Sequence, residues 1–151
     1  MRIYLDNCCL GRLLDDDSQD RVKLEIEAMM LLMARIFRKK LIWVSSSVLR
    51  VEVMRNRDLL KQRSIASLLK YASELVEMGP ADMDRADFLQ TLGFGVFDSY
   101  HLAAAERAGC DALLTTDDAF GRRAKRHAHK LHVRVENPID WLMEVADHED
   151  A

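Results

Sequence analysis

Apolar runs too short for a helix alternate along the chain with longer segments in which apolar residues recur every three or four positions. Arg2–Leu5 reads as a short buried strand that Asp6 closes. Ser18, after the acidic turn Asp15-Asp16-Asp17, is placed to cap a long helix. In that helix Val22, Ile26, Met29, Met30, Met33, Ile36 and Phe37 make one apolar stripe. Arg35, Arg38, Lys39 and Lys40 load its end with positive charge that suits the helix dipole. Residues 41–44 form the second strand, and Ser45, Ser46 and Ser47 offer hydroxyls to cap a helix that carries Glu52.

From 58 to 77 the pattern predicts a helix with Leu59, Leu60, Ile65, Leu68, Leu69, Ala72, Leu75 and Val76 facing inward, until Gly79-Pro80 breaks it. A shorter helix over 81–92 ends at Gly93, and another over 96–108 follows Gly95 and closes at Gly109. Residues 112–116 form the third strand, a short helix starts at Asp118, and 131–135 alternate as a fourth strand at the sheet edge. Pro138 opens a last helix through Trp141, Leu142 and Val145. Strands that alternate with helices need crossover connections, so the order implies an α/β fold: a short parallel sheet with helices on both faces.

Composition changes this picture little. The 151 residues suit one domain, expected over 1–146 with a short acidic tail over 147–151. Hydrophobic residues at 49% and charged residues at 31% exclude a disordered chain. Three cysteines are an odd number, and Cys8 and Cys9 are adjacent, which argues against a disulfide framework. Cys8, Cys9 and Cys110 therefore read as small, reduced packing residues. No signal peptide is visible after Met1-Arg2, and no stretch approaches the ~20 apolar residues of a membrane span. A cytoplasmic location without a membrane partner is expected.

Four acids stand out by position. Asp6 and Asp117 leave the ends of strands, Glu52 stands in the helix after the second strand, and Asp98 opens the helix before the third. Neighbouring parallel strands would bring Asp6 and Asp117 to the carboxyl edge of the sheet, where open α/β folds bind ligands. Each pair of carboxylates brought within ~4 Å costs on the order of 4 kcal/mol at an effective dielectric near 20. Such a cluster calls for a cation. Taken singly, Asp98 also suits a helix N-terminus, and Glu52 also suits a pairing with Arg50 or Arg55.

The segments Tyr4-Leu5-Asp6-Asn7, Ser47 followed by Glu52, 97–105 (Phe97-Asp98-Ser99-Tyr100-His101-Leu102 and three alanines) and 114–120 (Leu114-Thr115-Thr116-Asp117-Asp118-Ala119-Phe120) stand in one order. In that order the chain resembles the PIN-domain nucleases, in particular the toxins of VapC-type toxin-antitoxin pairs. The resemblance implies a single PIN-like domain in which Asp6, Glu52, Asp98 and Asp117 hold one or two divalent cations, with Asp6 and Asp98 as the first choices for direct ligands. It implies hydrolysis of RNA phosphodiesters to leave a 5′ phosphate, with Thr115 supporting the site. It also implies a cognate antitoxin and a homodimer; a housekeeping nuclease of the same fold is the alternative within the class. Carboxylates without a Cys/His cluster favour Mg²⁺ or Mn²⁺. Asn7 departs from the family, where Ser or Thr often follows the first acid, and Asp118 competes with Asp117 for the fourth role. His101, three residues after Asp98, reads as a structural hydrogen-bonding residue rather than a base.

A net charge of −3 does not exclude RNA, because the local distribution is uneven. Between Gly121 and Arg134 lie Arg122, Arg123, Lys125, Arg126, Lys130 and Arg134 with no acid. This segment follows Asp117, so Arg122, Arg123, Lys125 and Arg126 are the expected RNA contacts, with Arg50, Arg55 and Arg57 as an opposite bank. A solvated helix face is the competing explanation of the same charges. Two other classes remain: a receiver-like phosphoryl-transfer domain, against which the absence of a DxD at Asp6 speaks, and a binding module without chemistry.

Overall fold

In a computed structural model that describes residues 1–149, with side chains described as far as Ala146, the centre of the molecule is the strand β1 (Arg2–Leu5). Ile3, Tyr4 and Leu5 are fully buried, as expected for a strand covered on both faces. β1 pairs in parallel with β2 (Ile42–Ser46) on one side and β4 (Ala112–Leu114) on the other, with Tyr4 opposite Val44 and Leu113. β3 (Glu74–Val76) and β5 (Arg134–Glu136) complete a five-stranded parallel sheet in the order β3-β2-β1-β4-β5. Each large apolar side chain sealed in this sheet, such as Trp43 or Leu114, contributes ~1.5–3 kcal/mol by leaving water.

Eight helices flank the sheet among the described residues: α1 (Asn7–Arg12), α2 (Asp20–Phe37), α3 (Ser47–Met54), α4 (Leu59–Leu69), α5 (Pro80–Thr91), α6 (Val96–Arg107), α7 (Asp118–Arg126) and α8 (Pro138–Glu149). The chain steps outward from β1 through β2 to β3, then returns past β1 to build β4 and β5. Because crossovers between parallel strands share one hand, such a reversal puts the helices of the two halves on opposite faces. It also opens a crevice at the carboxyl ends of β1 and β4, the strands that Asp6 and Asp117 follow. No helix among the described residues is long and apolar enough to cross a membrane. The acidic tail expected over 147–151 falls on residues whose side chains lie outside the described set, and α8 continues to Glu149.

Five expectations change. The helix predicted over 58–77 stops at Leu69, and Glu74–Val76 instead becomes β3, held to β2 by pairs such as Ser45 with Leu75. Leu75 and Val76 fitted a helical period, but three half-exposed edge residues carry too little local signal to betray a strand. Arg2 clamps Glu74 through both guanidinium amines across the intervening strand. α1 follows Asp6 directly where the sequence suggested no helix. Gln19, not Ser18, caps α2, and the Ser18 amide donates to Asp16 instead. The buried face of α2 is turned from the expected stripe: Ala28, Met29, Leu32, Met33 and Ile36 are inside, while Met30 and Phe37 are exposed. Glu25 shares that inner face, where Arg12 Nε and Asn137 Nδ2 donate to its carboxylate at 2.9 and 2.7 Å. The fourth predicted strand starts late, at Arg134, because Ala128–Lys130 winds into a 3₁₀ turn.

Candidate metal centre

Asp6 extends β1 by one ladder bond, its amide donating to Leu114 O at 3.0 Å, so its side chain leaves the sheet at the crevice. The carboxylate is 5% exposed and accepts from the Asn7 amide at 2.6 Å, Thr115 Oγ1 at 3.0 Å and Cys8 Sγ at 3.4 Å. Burial raises its pKa above the usual value, with the negative charge of Glu52 adding to the rise and His101 and Thr115 opposing it. Thr115 Oγ1 also accepts from the Asp117 amide at 3.1 Å, so one hydroxyl joins the first acid to the backbone of the last.

Glu52 rides on α3, whose start is fixed by Ser46: its Oγ accepts from the Leu49 amide at 3.0 Å. The same Ser46 hydroxyl is 2.6 Å from Tyr4 Oη, which is 2.6 Å from His101 Nδ1. His101 is fully buried, and its Nε2 lies 3.0 Å from Glu52 Oε1 and 3.7 Å from Asp6 Oδ1. A histidine whose Nε2 faces carboxylates carries its proton there. Burial disfavours the imidazolium, but the hydrogen bond to Glu52 and the charges of Asp6, Glu52 and Asp98 outweigh it and raise the pKa. Asp6, Glu52 and His101 each offer a ligand atom within 4.8 Å of the others.

Asp98 precedes His101 by one turn of α6. Its pKa is pushed up to about 7, first by burial and then by the charge of Asp6, with Asp117 and Glu52 adding and His101 opposing. Asp98 thus feels the charge of the other three acids, although Asp98 and Asp117 do not join the tight Asp6, Glu52 and His101 group. Asp117 is the N-cap of α7, its Oδ1 accepting from the Ala119 and Phe120 amides at 3.0 and 3.2 Å, which leaves Oδ2 outside the cap. Asp118 turns to Arg21 on α2, 2.6 Å from Arg21 Nη1 to Asp118 Oδ2, so it is engaged away from this cluster. Asn7 Oδ1 is buried and, among the described residues, has no hydrogen-bond partner.

The geometry has a counterpart in known proteins. Residues 3–126 match the family profile of the PIN domain, a span that takes in Asp6, Glu52, Asp98 and Asp117. The chain belongs to the PIN-domain family. Two solved structures share the fold of this PIN domain: VapBC2 from Rickettsia felis bound to a DNA fragment from their promoter, and VapBC-1 from nontypeable Haemophilus influenzae. Each is 14% identical over 91% of this chain and 98% of its own, with TM-scores of 0.57 and 0.56. No curated protein matches the chain in sequence.

The donor set of the PIN domain fits a hard divalent cation. Carboxylate oxygens dominate it, burial and neighbouring carboxylates together raise the pKa of Asp6 and Asp98, and an orphaned amide oxygen stands on the next residue, Asn7. Of the basic residues expected to meet RNA, Arg122, Lys125 and Arg126 are exposed on α7. Arg122 and Lys125 line one recess with Asp117 and Thr115. Arg123 is partly covered, lying against the loop before α6: a Cβ added at Gly93 (φ +97) would come within 3.3 Å of Arg123 Nε.

Two residues near the centre make contacts that the sequence reading did not give them. Cys8 does not simply pack: its Sγ accepts from the Thr116 amide at 3.3 Å and lies 3.2 Å from Thr115 Oγ1, beside the Asp6 carboxylate. The signal was its place two residues after Asp6, on a first helical turn that the sequence did not reveal. His101, read as a structural hydrogen-bonding residue, does bond to Tyr4 and Glu52; the sequence did not show that its Nε2 also comes within 4.8 Å of the Asp6 and Glu52 carboxylates.

Proposed function

We propose that this PIN domain is a Mg²⁺- or Mn²⁺-dependent endoribonuclease, the toxin of a type II toxin-antitoxin pair acting in the cytoplasm. The observation that carries the reading is the convergence of Asp6, Glu52 and His101 within 4.8 Å, with Asp98 one helical turn before His101 and raised to about 7 by burial and by the charge of Asp6. Asp6, Glu52, Asp98 and Asp117 would hold the cation. When bound, it lowers the pKa of a coordinated water and offsets charge on the scissile phosphate.

The protein's own residues prepare that chemistry. Thr115 and the Asn7 amide hold the Asp6 carboxylate in one orientation, and His101 anchors Glu52 while Tyr4 and Ser46 anchor His101. Without a cation Asp98, raised to about 7, holds a proton more readily than an ordinary carboxyl, and it would lose that proton when a cation binds. Arg122, Arg123, Lys125 and Arg126 bind the phosphate backbone and release its counterions. The fold shared with VapBC2 and VapBC-1 supports a cognate antitoxin as partner, and a homodimer belongs to the same proposal.

The test is a panel of labelled single-stranded RNAs incubated with purified protein in Mg²⁺, Mn²⁺ or EDTA. Metal-dependent cutting with 5′-phosphate products is expected. Well-folded protein that binds the RNAs and the metal but cuts none of them would favour a binding module on the same fold.

A further inference from the structure

Between the buried metal centre and solvent lies a ladder of planar groups. His101, locked by Tyr4 and Glu52, is stacked with Phe97 at a ring-centroid distance of 6.4 Å and an interplanar angle of 24°. Arg55 Cζ lies over the Phe97 ring, 5.7 Å from its centroid. Exposure rises along this series, from the fully buried imidazole through the half-buried ring to the exposed guanidinium. Both outer members adjoin the centre in sequence: Phe97 precedes Asp98, and Arg55 follows Glu52 by three residues at the end of α3.

Packing does not explain this pair. Phe97 belongs neither to the hydrophobic core nor to the apolar residues packed against it. Arg55 forms no ion pair with a carboxylate among the described residues, unlike Arg21 with Asp118 or Arg107 with Asp82. Its guanidinium is held over an aromatic ring at the rim of the site. Unpaired nucleobases stack on aromatic rings and on guanidinium planes, and such stacking tolerates any base because every base has a π face.

We infer that Arg55 and Phe97 form a stacking subsite for an unpaired nucleobase next to the phosphate bound at the metal centre. The inference rests on the ribonuclease reading above. A base at this subsite is unpaired, so the subsite favours single-stranded or looped RNA over a closed duplex, where the base must first be unstacked at a cost in free energy. It also divides the work at the site: α7 grips phosphates, and the opposite rim holds a base.

The experiment compares a decamer of adenylate RNA with an abasic ribose-phosphate decamer of the same length and charge. Binding is followed by fluorescence anisotropy with Ca²⁺ as the divalent ion. The parent should bind the base-bearing decamer roughly tenfold more tightly, in line with the stacking of a single base. Phe97→Leu should lose that preference while keeping its affinity for the abasic decamer. Arg55→Lys, an exposed change that keeps the charge and removes the plane, should lose part of the preference with an unchanged salt slope. Equal binding of both decamers by the parent would overturn the stacking subsite and leave RNA binding in place. A preference that survives in both variants would also overturn it, and binding of neither decamer would overturn it together with the RNA reading.

Discussion

Replacing Asp98 with Asn removes one charge from a crowded cluster while keeping the side chain's shape. Without metal, Asp98 titrates at about 7 against an ordinary 3.8, a rise of about 3 units. At ~1.36 kcal/mol per unit this is on the order of 4 kcal/mol held against the ionised folded state. Asp98 is partly exposed, and screening by solvent reduces the figure to about 2 kcal/mol. The sign follows from linkage: a carboxyl whose folded pKa is raised favours folding below its unfolded pKa, and that advantage is lost as pH rises through about 7. Asp98→Asn should therefore melt about 4–8 °C higher than the parent at pH 8 in EDTA, at ~2–4 °C per kcal/mol for a chain of this size. The gain should shrink at pH 5 and vanish near pH 4. Added Mn²⁺ should stabilise the parent, by ~2.7 kcal/mol at 100 times its dissociation constant, and leave the variant nearly unmoved. Differential scanning fluorimetry reads all of this. A variant that melts lower than the parent at pH 8, or a gain that persists unchanged at pH 4, would refute the reasoning from converging charge.

Four further outcomes follow from other parts of the structure. Reversing Arg122 and Arg126 to Glu should weaken RNA binding and reduce the salt slope by at least roughly 1.4, about 0.7 for each lost phosphate contact on a single strand; filter binding across a salt series measures it. Asp118→Asn breaks only an exposed pair with Arg21, so it should leave the melting temperature nearly unchanged and keep the metal-induced melting shift. Asp117→Asn, which preserves a capping side chain, should lose that shift. Gly93→Ala forces a side chain into φ +97 against Arg123 and should cost on the order of 1 kcal/mol or more, visible in thermal or urea melts.

Some of this architecture was plain in the sequence for a physical reason. Central parallel strands are buried on both faces, so β1 and β4 read as unbroken apolar runs, and their ends announce Asp6 and Asp117. Gly95 before α6 is local chemistry and was equally legible, whereas Gly79-Pro80, read as the end of a helix, instead opens α5. The strand β3 was not, because what makes Glu74–Val76 a strand is the exposed edge of β2 and the reach of Arg2, both far away in sequence. The inner face of α2 was misjudged because a buried Glu25 looks like a surface residue until Arg12 and Asn137 are seen around it. The sequence brought Asp6 and Asp117 to one edge through the order of the strands, and grouped Glu52 and Asp98 with them through their helix positions and the PIN-domain resemblance. It could not show that His101 sits among them, or that Cys8 and Thr115 brace Asp6, since those relations arise only when β1, β4 and α6 meet.

The most direct test of the metal centre is calorimetric titration of Mn²⁺ into the apo protein and into its Asp6→Asn variant. The parent should show saturable binding, and the variant, missing the carboxylate that Thr115, Cys8 and the Asn7 amide hold in place, should bind at least tenfold more weakly. Absence of binding to the folded parent, or equal binding by both proteins, would contradict a cation site built on these acids.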